Sequence, residues 1–159
     1  MKCYFHGSCT GIASNGTKQG FLSFVIPDIG VVYRTRCSGE RYECEYKALL
    51  ALLEFISTNS EAFAKQVLQL QGDSAVVVYQ LAGKMPVTSR TEDLYRHVMK
   101  FKNRLQFEVS WVPLSLNRAA SGMPELPPLP LKFNFDFAVG KKGADGKSRS
   151  SFTRMSAKF

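Results

Sequence analysis

Up to about Cys37, apolar and polar positions run in short strand-like stretches; beyond Arg41 the apolar spacing becomes helical. Cys3–Cys9 reads as a strand ending in the small-residue bend Gly7-Ser8-Cys9-Thr10-Gly11. A turn at Ser14-Asn15-Gly16-Thr17 leads into Gln19–Ile26, where Phe21, Phe24, Val25 and Ile26 favour a second strand. Pro27-Asp28-Ile29-Gly30 predicts a compact reversal, and Val31–Cys37 a third strand. Three strands joined by short turns predict an antiparallel meander. From Arg41 to Ile56, Tyr46, Leu49, Leu50, Leu53 and Phe55 recur at helical spacing, and Asn59 stands where that helix would stop. Val67–Leu70 is a short strand closed by Gly72-Asp73-Ser74. Ser74 is placed to cap a helix over Ala75–Leu81, which Gly83 would end. Within it Tyr79 and the surrounding aliphatics are expected in the core. Thr91-Glu92-Asp93 opens another helix reaching about Leu105, and Phe107–Val112 is the fifth strand. The order β-β-β-α-β-α-α-β predicts an α/β fold: a mixed five-stranded sheet, antiparallel meander plus parallel strands, flanked by helices.

The pattern ends near Ser121, so residues 1–121 are read as one domain. Pro124, Pro127, Pro128 and Pro130 forbid helix, while Phe133, Phe135 and Phe137 alternate. Residues 122–139 are therefore expected to be a Pro/Phe-rich extension packed back on the domain, or used to dock a protein partner or second copy. Residues 140–159 are expected to be a flexible basic tail.

Charge sharpens this division. The net charge is +8 at pH 7. Over residues 132–159, Lys132, Lys141, Lys142, Lys147, Arg149, Arg154 and Lys158, against Asp136 and Asp145, give +5 of it. A basic balance favours polyanionic partners, because neutralising phosphates releases counterions. On the domain, Lys18, Arg34, Arg36, Arg41, Lys84 and Arg90 are candidate phosphate contacts, with Arg118 near the site; Lys141, Lys142 and Arg149 are candidates in the tail. No apolar run is long enough for a membrane span, and Met1–His6 has no signal-like apolar region, so a cytoplasmic location is expected. Cys3, Cys9, Cys37 and Cys44 match no metal knuckle and no redox pair by spacing, which predicts reduced, partly buried thiols.

The candidate chemistry lies at the carboxyl ends of the strands, where open α/β sheets gather ligands. His6 on the first strand, Glu45 near the start of the long helix and Asp73 after the fourth strand should converge there. The segment Asn117–Ser121 could reach the same rim. Converging carboxylates of this kind hold paired divalent ions in phosphodiester hydrolases. Glu43, two residues before Glu45, should point elsewhere into solvent.

Tyr4-Phe5-His6-Gly7-Ser8-Cys9, Glu45-Tyr46-Lys47-Ala48-Leu49, Gly72-Asp73-Ser74 with Val76–Leu81, and Val112-Pro113 with Asn117 together resemble the ordered motifs of type 1 ribonuclease H domains. The resemblance covers about residues 2–121 and implies the ribonuclease H-like fold. It also implies a site of four acidic residues around two magnesium ions, acting on RNA/DNA hybrids. Glu45 and Asp73 match two of these acids. His6 stands where the family has the first-strand aspartate that both ions share, and Ser121 stands at the last aspartate. Asn117 matches a family contact to the hybrid.

Two divalent ions bring four positive charges, which Glu45 and Asp73 only half neutralise. Imidazole suits manganese or zinc better than magnesium and bridges poorly. The expectation is a catalytically degenerate ribonuclease H-like domain that binds nucleic acid or scaffolds a nucleic-acid complex, with magnesium or manganese held weakly at most. Two alternatives stand beside it: an active nuclease rebuilt around His6 with manganese, and a protein-interaction module.

Overall fold

The computed structural model describes residues 1–12 and 16–121. The expected extension at 122–139, the tail at 140–159 and part of the Ser14–Thr17 turn lie outside the described residues. β1 (Lys2–Ile12), β2 (Lys18–Ile26) and β3 (Val31–Ser38) form the antiparallel meander that the alternation predicts. Between the last two, Pro27–Ile29 makes a single 3-10 turn, and Gly30, at φ 66°, takes the left-handed conformation that reverses the chain. β4 (Leu68–Gly72) and β5 (Phe107–Trp111) add in parallel, giving the sheet order β3-β2-β1-β4-β5. β1 is thus central, and β3 and β5 are edges. Edge position explains why β3 alternates strictly, exposing Val32, Arg34, Arg36 and Ser38.

Helix α1 (Arg41–Thr58) crosses one face of the sheet. Leu49, Leu50, Leu52, Leu53, Phe55 and Ile56 are all buried, more than one helical stripe can supply. The helix is sandwiched between β1 and β2 on one side and α4 (Glu92–Lys102) on the other. Burying each such Leu or Ile contributes about 1.5–3 kcal/mol, so α1 is the main pillar of the core. The opposite sheet face is covered more thinly: Tyr4 and Val25 pack with Ala119 of the four-residue helix α5 (Arg118–Ser121).

Several expectations change. Glu43 is not simply solvated; its carboxylate accepts from the Glu40 amide and closes the first turn of α1. Helix α3 (Ala75–Leu81) buries Val77, Val78 and Leu81, but Tyr79 is 43% exposed, so it is not a core residue. A short surface helix buries only one face, and Tyr79 lies off it. α4 stops at Lys102 instead of Leu105; beyond it the Arg104 amide bonds to the Phe101 carbonyl three residues back, a tighter turn than the α-helix makes. The four-residue α2 (Ser60–Phe63) was not expected. Among the described residues, no helix is long and apolar enough to cross a membrane.

Candidate functional site

β1 and β4 run in parallel with Phe5 opposite Gly72, so His6 and Asp73, one residue further along each chain, emerge side by side. The third corner depends on Gly7. A Cβ there would run into the backbone of Cys44 and Glu45, so the missing side chain lets the start of α1 lie directly against β1. Glu45 then reaches the pair. His6 Nδ1 is 2.9 Å from Asp73 Oδ1 and 3.8 Å from Glu45 Oε1. Ligand atoms of all three residues lie within 4.8 Å of one another.

The pair is braced from behind. Asn117 is fully buried beyond the 3-10 turn at Leu114–Leu116. Its Nδ2 donates to the Phe5 carbonyl at 2.8 Å and to Asp73 Oδ1, while its Oδ1 accepts from the Ala119 amide at 3.0 Å. Asp73 Oδ1 therefore accepts from both Asn117 and the His6 ring. The indole of half-exposed Trp111 donates to the Asp73 carbonyl at 3.1 Å.

The two carboxylates are driven apart electrostatically. Burial alone would raise Asp73, but the hydrogen bond and charge of His6, with the Asn117 amide, hold its carboxyl below the ordinary value. Since Asp73 is thereby the anion, the proton in the His6–Asp73 contact belongs on Nδ1. Glu45 has no hydrogen-bond partner on either carboxylate oxygen. Burial first, and then the Asp73 charge, push its carboxyl up to about 9; the Gly7 amide and Arg41 offset only part of this.

One ring nitrogen and two carboxylates, one already bonded twice and the other inclined to hold a proton, do not fit a pair of hard divalent ions. They suit one softer cation better. Ser121 adds no anion. It sits exposed at the end of α5, its hydroxyl donating to the Asn117 carbonyl at 3.4 Å.

The expected phosphate contacts separate into groups. Lys18 and Arg90 both pair with Glu40, at 2.7 and 3.4 Å. Arg34 stands over the Phe21 ring at 4.9 Å and Arg118 over the Tyr4 ring at 5.9 Å. Strand register aligns His6 with Ser23 and Arg34, and Ser8 with Phe21 and Arg36. Arg34 and Arg36 therefore share the sheet face that carries His6. Arg36 and Lys84 are exposed. Lys141, Lys142 and Arg149 lie outside the described residues. Gly7, Trp111 and Ser23, whose hydroxyl donates to the Ala119 carbonyl at 2.7 Å, were not singled out from sequence. The glycine after His6 on a central strand was the one available signal, since such glycines mark close backbone approach.

The central strand, its parallel neighbour and the antiparallel meander define a ribonuclease H-like fold with the site at its rim. The chain belongs to the reverse transcriptase-like family, which matches residues 29–123, within the ribonuclease H-like superfamily. No curated protein shows significant similarity to it. Among solved structures it is similar to ribonuclease H1 from the halophilic archaeon Halobacterium salinarum: 23% identity over 76% of this chain and 90% of that one, TM-score 0.57. LC11-ribonuclease H1, solved in complex with an RNA/DNA hybrid, matches at 16% identity over 76% and 91%, with TM-score 0.60. The amino-terminal ribonuclease H domain of a Mycobacterium tuberculosis protein matches at 20% identity over 76% and 92%, with TM-score 0.56.

Proposed function

We propose that the chain is a nucleic-acid-binding domain whose site has given up two-metal hydrolysis. The observation that carries this is the His6–Asp73 hydrogen bond. An imidazole occupies the corner where a shared anion would hold two ions, and it engages the carboxylate that would otherwise ligate them. Asn117 is then a positioning residue for Asp73 and not a direct contact, since contacting nucleic acid would require breaking its internal bonds.

The binding surface is the sheet face bearing His6, Ser8, Phe21, Arg34 and Arg36. Arginines beside a partly buried aromatic, with Arg34 already lying on the Phe21 ring, suit phosphate contact together with stacking. RNA/DNA hybrid is the ligand to try first, because it is what LC11-ribonuclease H1 holds. Lys141, Lys142 and Arg149 would add non-specific phosphate contacts. A second reading, favoured by the two unpartnered oxygens of Glu45, keeps one softer cation such as manganese between Glu45, Asp73 and His6.

The test is anisotropy of a labelled hybrid in chelator across a salt series. Binding should weaken steeply with salt, and replacing Arg34 and Arg36 by alanine should lower the slope by roughly two counterions and the affinity about tenfold. Absence of binding at low salt, or an unchanged slope in the double variant, contradicts the proposal.

A further inference from the structure

The cysteine spacing predicts no redox pair, yet the fold brings two of these residues together. Cys37 lies near the end of β3 and Cys44 in the first turn of α1, and their sulfurs are 3.1 Å apart. The connection doubles back this tightly because Gly39 adopts φ 134°, a region open to glycine and closed to most residues. All four cysteines are free thiols. Cys37 is half-buried and open to reagents, whereas Cys44 is fully buried, its S–H also within 3.7 Å of the Gly39 carbonyl.

We propose that Cys37 and Cys44 are a reactive dithiol that closes to an intramolecular disulfide by exchange with a small-molecule disulfide. In the first step the Cys37 thiolate attacks one sulfur of the small disulfide. A Cys37 mixed disulfide forms and one small thiolate leaves. In the second step Cys44 attacks the Cys37 sulfur and expels the second small thiolate, which takes up the Cys44 proton as it leaves. Two protein thiols are oxidised by two electrons, and one small disulfide is reduced to two thiols.

The surroundings divide the roles. The hydrogen bond with Cys44, and secondarily Lys47, lower the Cys37 thiol against the opposing effect of burial. Cys37, the more accessible of the two, therefore reacts first, and the fully buried Cys44 resolves the adduct. Cys3 lacks this arrangement: burial pushes its thiol up to about 12. The new bond would tie the end of β3 to the turn of α1 that carries Glu45, next in sequence to Cys44. The inference does not depend on the nucleic-acid reading.

The probe is oxidised glutathione added to the full-length chain, followed by alkylation and tryptic digestion. Cleavage after Arg36, Arg41 and Lys47 leaves the two cysteines on separate peptides, 37–41 and 42–47. These should emerge joined, with an intact mass two hydrogens lighter, no retained glutathione, and reversal by dithiothreitol. In the reduced chain, Cys37 should alkylate at least about tenfold faster than Cys3. Cys44→Ala should trap glutathione on Cys37, and Cys9→Ser should leave the linkage unchanged. A persistent glutathione adduct on Cys37 of the native chain overturns the proposal. So does linkage of Cys37 to Cys9, or no reaction at Cys37.

Discussion

Glu45 is fully buried with neither oxygen hydrogen-bonded, and its carboxyl is pushed up to about 9 by burial and then by the Asp73 charge. The folded-state value lies above the ordinary 4.5, so the native chain holds a proton that the unfolded chain releases across that interval. The stability this provides is complete below about pH 4.5 and declines as pH rises toward 9. Glu45→Gln keeps the shape without the ionisable proton. It should stabilise the protein by about 2 kcal/mol near pH 8 and change little near pH 4, measured by urea unfolding at both. A Gln variant that is less stable near pH 8 would contradict the assignment. Asp73 has the opposite sign: its carboxyl is held down, and its contribution is lost only as pH falls through the folded-state value. The identities of these residues were legible in the sequence, and so was the imidazole at position 6. Their energetic state was not, because burial and the bracing by Asn117 come from residues distant in the chain.

Helix α1 approaches β1 as closely as it does because position 7 carries no side chain. Gly7→Ala must push the helix off the strand, and overpacking of this kind should cost about 3 kcal/mol in chemical denaturation. Gly11→Ala on the same strand is the control, since nothing lies within 4 Å of its Cβ position; it should be close to neutral. Equal effects of the two substitutions would show that Gly7 does not seat the helix. The five strands and the three longer helices were readable from periodicity, with ends shifted by a few residues. α2 and α5 were not, since four residues are too few to display a helical repeat. Tyr79 was misread for a related reason. In a seven-residue helix a run of apolar residues does not say which face is buried, and the packing of α3 leaves the ring in solvent. The proximity of Cys37 and Cys44 was likewise invisible, because it depends on the tight turn at Gly39.

At the scale of the whole molecule, the sheet order makes β1 central and sets β4 parallel beside it, and this brings His6, Glu45 and Asp73 to one rim. That convergence followed from the strand and helix order. The face bearing Arg34 and Arg36 did not, because strand register decides which arginines share the side of His6. The architecture that elsewhere in the superfamily appears in ribonucleases H is thus retained around a corner closed by an imidazole. The most direct measurement is cleavage of a labelled RNA/DNA hybrid in magnesium and, separately, in manganese, by the native chain and by Asp73→Asn. The account predicts no metal-dependent product from either protein; cleavage by the native chain that Asp73→Asn abolishes would contradict it.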